Sequence, residues 1–214
     1  MSDTQGHEIN YRTKKVFEKM AKTKICVCGA GALGSNLINN LVRQGFAQIT
    51  VIDMDRVEKH NIATQVYSRR DVGQMKANAL KANIFQNTGQ VIEAVDKELR
   101  DNNAKKFLKG FDVIVDVFDN WASRRLVSET ALAMKTSVVH AGMSDDGFAE
   151  IKWNDNYKIP VKDVEQKDVC DYPLAANLVQ LTSAVLAEAV AQFVSDGETL
   201  NREITLKDLR VHIV

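Results

Sequence analysis

The sequence predicts an α/β fold, a doubly wound and mostly parallel sheet with an antiparallel extension. Three observations predict it. Short apolar runs alternate with longer stretches of helical periodicity, the rhythm of βαβ units. A glycine-rich turn joins the first apolar run to the first helical stretch. One later connection, Gly142 to Gly147, is too short for the helical crossover that parallel strands require.

Each element follows in order. Residues 1–22 read as a polar arm with a helix, and Lys24 to Cys28 as the first strand. Leu33, Leu37, Ile38 and Leu41 recur at helical spacing and stop at Gly45, a natural helix C-cap, so Ile49 to Ile52 becomes the second strand. The next unit pairs a helix over Met75 to Phe85 with a strand over Val91 to Val95. Phe111 to Val117 is apolar enough for a central strand, and Ala122 to Met134 returns as helix. Ser137 to His140 and Phe148 to Trp153 are later strands, the second antiparallel. Asn154 to Pro173 lacks periodicity, holds both prolines and reads as a long surface loop, a length usually tied to function or disorder. Leu174 to Val194 is a helix with a wide apolar face, and Ile204 to Val214 an edge strand or a partner-binding tail. The 214 residues suffice for one core, which gives a central domain over 23–200, the arm before it and a tail strand over 201–214.

Composition excludes several classes. Lys plus Arg and Asp plus Glu are both 28, so no positive field gathers phosphate backbones and no nucleic acid is expected as a partner. No run approaches about 20 apolar residues and the N-terminus lacks an apolar signal core, so no membrane is expected and a cytoplasmic location is. Cys26, Cys28 and Cys170 form neither a disulfide framework nor a Cys-x-x-Cys knuckle, and His7, His60, His140 and His212 are scattered. Cys26 and Cys28 are better read as small core residues on a buried strand.

The first chemical motif is Gly29-Ala30-Gly31-Ala32-Leu33-Gly34, set between strand and helix. Gly29 allows the tight turn, Gly31 lets the backbone approach a phosphate and Gly34 lets the helix pack on the sheet, while the helix's first amides attract anions. Asp53 closes the second strand where a carboxylate can accept hydrogen bonds from a ribose. Strand, glycines, helix, strand and acid in this order predict a Rossmann-like nucleotide-binding domain.

Further motifs narrow the chemistry. Val51-Ile52-Asp53-Met54-Asp55 with Asn61, then Val72-Gly73-Gln74-Met75-Lys76, then Phe118-Asp119-Asn120 with Arg124, stand in one order. Together they resemble the ThiF/MoeB/HesA family over about Lys24 to Gly197. The resemblance implies ATP as the nucleotide and Mg2+ as its metal. It implies adenylation of the C-terminal carboxylate of a small ubiquitin-like or sulfur-carrier protein, and a homodimer. It would give Lys76 the phosphate charge, Asp119 the Mg2+, Asn61 and Arg124 phosphate oxygens or the metal-bound carboxylate, and Asp53 the ribose, with Asp55 beside it. Structural roles compete with these: Lys76 as a solvated surface lysine, Arg124 as a partner of Glu129, Asp119 as a helix cap.

The chain also departs from the family. Asn61-Ile62-Ala63-Thr64-Gln65 places Thr64 where relatives carry a phosphate-contacting arginine. Asn10-Tyr11-Arg12-Thr13-Lys14 only approximates the N-terminal motif that supplies an arginine across a dimer, with Arg12 reached by slippage and Thr13 by strict register. The two zinc-binding Cys-x-x-Cys pairs of many relatives are absent, so the chain resembles a short, zinc-free branch. Cys170, just before the last long helix, falls where relatives carry a crossover-loop cysteine that takes an acyl or sulfur group. Asp168 and Asp171 flank it and would raise its pKa, so a passive loop cysteine stands beside that reading. Two other readings stand beside adenylation: a catalytically weak or silent scaffold, suggested by Thr64, and an NAD-dependent oxidoreductase, which lacks a substrate domain and a catalytic His or Tyr-x-x-x-Lys element.

Overall fold

Side chains alternate along the first strand. In the computed structural model, which describes residues 5–159 and 174–214, β1 (Lys24–Cys28) turns Ile25 and Val27 into one apolar cluster and Cys26 and Cys28 into another. A strand buried on both faces is the mark of a sheet covered by helices on each side.

The described residues form one eight-stranded sheet in the order β3-β2-β1-β4-β5-β6-β7-β8. β1, β2 (Gln48–Ile52), β3 (Glu93–Val95), β4 (Val113–Asp116) and β5 (Ser137–Met143) pair in parallel. β6 (Phe148–Trp153), β7 (Arg202–Thr205) and β8 (Arg210–Ile213) add on antiparallel. The chain runs outward from β1 to β3 and then returns to β4, so the order reverses between β1 and β4. That switch point opens a crevice at the carboxyl ends of the two strands.

Helices α3 (Ala32–Gln44), α4 (Lys76–Thr88) and α7 (Ala176–Asp196) cover one face, with Leu37, Leu41, Leu80, Ile84, Leu186 and Val190 buried there. α5 (Ala104–Leu108) and α6 (Trp121–Met134) cover the other, with Leu108, Leu126 and Val127. α7 has the length and apolarity of a bilayer-crossing helix, yet its apolar residues pack on α3 and the sheet. The N-terminal arm is two helices, α1 (Gly6–Arg12) and α2 (Lys14–Lys22), fixed by buried Phe17 and Met20 and by Arg12, which binds Glu188 of α7 at 2.6 Å.

Two sequence expectations need correction. The tail is a hairpin of β7 and β8 and not one strand, because Asp208 accepts from the Thr205 hydroxyl and the Arg210 amide and closes a turn over 206–209. The connection before β4 also holds the five-residue α5, too short to show a period. The antiparallel setting of β6 agrees with the short Gly142 to Gly147 link.

Candidate functional site

The loops that follow β1 and β4 meet at the switch point. Gly29 has φ of 109°, and a Cβ there would stand 3.0 Å from the Val117 carbonyl oxygen, so only glycine suits both the turn and the contact. A Cβ on Gly34 would fall 1.9 Å from the Gly29 carbonyl oxygen, which no local shift absorbs. Gly31 differs: a Cβ there meets nothing within 4 Å among the described residues, so packing around the Cβ does not demand glycine, whereas close approach of a ligand to the backbone would. Gly31 also precedes α3, and no side chain caps that helix's first amides, which leaves them for an anion.

Asp53, at the end of β2, is buried against this loop. Its Oδ2 accepts the Ala30 amide at 2.7 Å and its Oδ1 the Asp55 amide at 2.8 Å. Burial pushes its carboxyl up, opposed by Lys76 and the two amides. Asp53 therefore braces the glycine loop. Lys76 opens α4 as expected, and its Nζ lies 3.1 Å from Asp55 Oδ2 with its side chain only 12% exposed. It is a shielded cation beside two carboxylates, not a free surface lysine. Tyr67 donates to the Ala30 carbonyl at 2.7 Å and to the Lys76 carbonyl at 3.2 Å, which ties glycine loop to α4.

Asn61 is buried in a short turn, and its Oδ1 accepts the Glu58 amide at 2.8 Å, so only its amide end remains to donate to a phosphate. Thr64 presents its backbone: its carbonyl accepts Asn36 Nδ2 at 2.8 Å, and Asn36 Oδ1 accepts Gln180 of α7 at 2.9 Å.

Across the switch point, Asp119 is exposed in the turn after β4. It does not cap α6; Asn120 does, accepting the Ser123 amide at 2.9 Å. The contact of Asp119 Oδ1 with Asn120 Nδ2, at 3.5 Å, is marginal, so the carboxylate retains its oxygen donors. Among the described residues no three acidic, His or Cys side chains cluster as a metal cage. That donor set fits Mg2+, which takes one or two carboxylates and fills the remainder with phosphate oxygens and water.

Arg124 is placed differently from the sequence expectation of a phosphate contact. It is buried, and donates to Tyr157 Oη and to the Ala141 carbonyl, both at 2.9 Å. Its Nη1 lies 3.9 Å from Asp116 Oδ2. α6 presents this face to β5, where the guanidinium packs beside Gly142. The arginine that pairs with Glu129 is Arg125, at 3.0 Å. Arg12 is likewise engaged within its own chain, by Glu188 and Glu8.

Cys170 lies outside the described residues. Cys26 and Cys28 are buried, and the hydrogen bond to Cys26 together with burial pushes the Cys28 thiol well up, in keeping with a core role. Sequence reasoning did not single out Tyr67, Asp116 or Tyr157, and it counted His140 only as one scattered histidine. The signal that marks Asp116 is its place, an acid ending an apolar strand three residues before Asp119.

Comparison with known proteins adds to this geometry. The model of the ThiF family matches residues 7–192. The chain is 30% identical over 145 residues to the SUMO-activating enzyme subunit 2 of Dictyostelium discoideum, covering 66% of this chain and 22% of that protein. It is 34% identical over 124 residues to the sulfur carrier protein adenylyltransferase of Thermus thermophilus, covering 57% and 46%. The chain thus matches less than half the length of either relative. Among solved structures, Escherichia coli MccB with ATP superposes with a TM-score of 0.75 at 18% identity, over 93% of this chain and 65% of that one, a likeness of fold.

Proposed function

The chain belongs to the ThiF family, and from that premise we propose that it adenylates the C-terminal carboxylate of a small ubiquitin-like or sulfur-carrier protein, with ATP as substrate and Mg2+ as metal. The observation that carries this is the meeting of two loops at one switch point: Gly29, Gly31 and Gly34 after β1, and the Asp119 turn after β4, with Lys76 and Asp53 on the near side.

Each residue then has a physical task. The free amides at the start of α3 receive phosphate oxygens, and Asp53 accepts from the ribose while bracing the loop. Lys76 exchanges Asp55 for the triphosphate as negative charge shifts toward the leaving pyrophosphate. Asn61 offers its amide donor, and Asp119 would hold the metal, which would neutralise phosphate charge when bound. A carboxylate oxygen of the carrier attacks the α-phosphorus, the bond to pyrophosphate breaks, and an acyl-adenylate remains. In a later step the Cys170 thiol would attack the acyl-adenylate, a thioester forming as the acyl–phosphate bond breaks and AMP leaves, and two chains would pair as a homodimer in the cytoplasm.

Calorimetry with ATP and NAD is the first test. ATP with Mg2+ should bind and NAD should not; preference for NAD would return the oxidoreductase reading. Thr64 sets a second test, because an arginine restored there should hold or raise the rate of pyrophosphate exchange. A large fall in Thr64→Arg would show that this site is built without that contact.

A further inference from the structure

Asp116 ends β4 with no solvent exposure, and both of its carboxylate oxygens are engaged. Oδ1 accepts the amide of Phe118 at 3.2 Å, two residues on, and so closes the turn that carries Asp119. Oδ2 lies 2.8 Å from His140 Nδ1 on the neighbouring β5 and 3.9 Å from Arg124 Nη1 on α6. His140 is equally buried, stacks on Tyr157 with ring centroids 4.4 Å apart, and finds no partner at Nε2 among the described residues. A hydrogen on Nε2 would be a buried, unpaired donor, so the geometry is that of a ring whose Nδ1–H donates to Asp116. Arg124 completes the ring of contacts by donating to Tyr157 Oη and the Ala141 carbonyl.

A buried charge costs several kcal/mol unless it is paired and hydrogen-bonded, and a fold needing only a core would place an apolar residue here, as β4 does at Val113, Ile114 and Val115. We propose that Asp116, oriented by His140 and Arg124, is the positioning residue that sets the turn bearing Asp119, and thereby the carboxylate offered to the metal. The same turn packs its Val117 carbonyl against Gly29, so a shift of Asp116 moves the metal ligand relative to the glycine loop. Outer groups that hold a ligand in place are commonly worth 10- to 100-fold in metal affinity. The proposal rests on the adenylation reading for the metal, and on geometry alone for the turn.

The test uses the full chain and two conservative changes, the isosteric Asp116→Asn and the slightly larger ring of His140→Phe. Asparagine keeps the acceptor for Phe118 but sets an amide donor against the His140 Nδ1–H. Phenylalanine keeps the stack on Tyr157 and removes the donor. Mn2+ affinity in the presence of a non-hydrolysable ATP analogue should fall about tenfold or more in whichever variant folds. Binding of the analogue in EDTA should stay at the wild-type value, which a general loss of structure would not leave untouched. Hydrogen exchange at the Phe118 amide should quicken in both. A folded variant with wild-type Mn2+ affinity overturns the proposal. If the wild type binds no Mn2+ with the analogue, the adenylation reading fails, and the positioning of the turn is decided by exchange at Phe118, unchanged protection overturning it.

Discussion

At the scale of single residues, the sharpest constraint is Gly34. A methyl group there meets the Gly29 carbonyl at 1.9 Å, so Gly34→Ala must push α3 off the sheet and deform the phosphate turn. We expect a loss of about 3 kcal/mol in urea unfolding and no detectable nucleotide binding; a stable, ATP-binding variant would contradict this. Gly31→Ala should keep the fold, since nothing among the described residues opposes its Cβ. Gly29, Gly34 and Asp53 were legible in the sequence because spacing fixes where a strand ends and a helix starts, whereas Lys76 was marked by the family resemblance. Arg124 was not, since a sequence shows which residue carries a guanidinium but not that α6 turns it inward to Ala141 and Tyr157. Neither was the His140 contact with Asp116, made between strands that lie 24 residues apart.

Among the elements, the long β2–α4 connection is held by its own polar bonds. Asp71 Oδ2 accepts from the Ser68 amide at 2.7 Å, the Ser68 hydroxyl at 2.9 Å and Asn83 of α4 at 3.0 Å. Burial alone would push this carboxyl up, but the three donors outweigh it and hold it below the ordinary carboxylate range. A depressed acid stabilises fully above its unfolded value of about 3.9, and that stability fades as pH falls through the lower folded value. Asp71→Asn should therefore lower stability at neutral pH by about 1–2 kcal/mol and flatten the loss below about pH 4. Thermal melts across that range check it, and an acid limb as steep as the wild type's would count against it. The antiparallel setting of β6 was readable because parallel and hairpin links differ in length. The β7–β8 hairpin was not, its turn being set by one side chain, Asp208.

For the whole molecule, the proposed assembly is a pair of chains. Arg12 is engaged by Glu188 and Glu8 of its own chain, so any arginine reaching a partner's nucleotide must leave that ion pair or come from elsewhere. Light scattering at micromolar concentration should give twice the 23.9 kDa chain mass, and a strict monomer with and without ATP would contradict the pairing. The site at the switch point is built by the two loops after β1 and β4. Its most direct test is ATP–pyrophosphate exchange with a panel of small ubiquitin-like proteins ending in Gly-Gly, run on the wild type and on Asp119→Ala. A carrier-dependent exchange that falls at least about a hundredfold in the variant, close to 3 kcal/mol of transition-state stabilisation, is the predicted result. ATP binding without exchange on any carrier, and no effect of Asp119→Ala, would make this chain a nucleotide-binding scaffold instead.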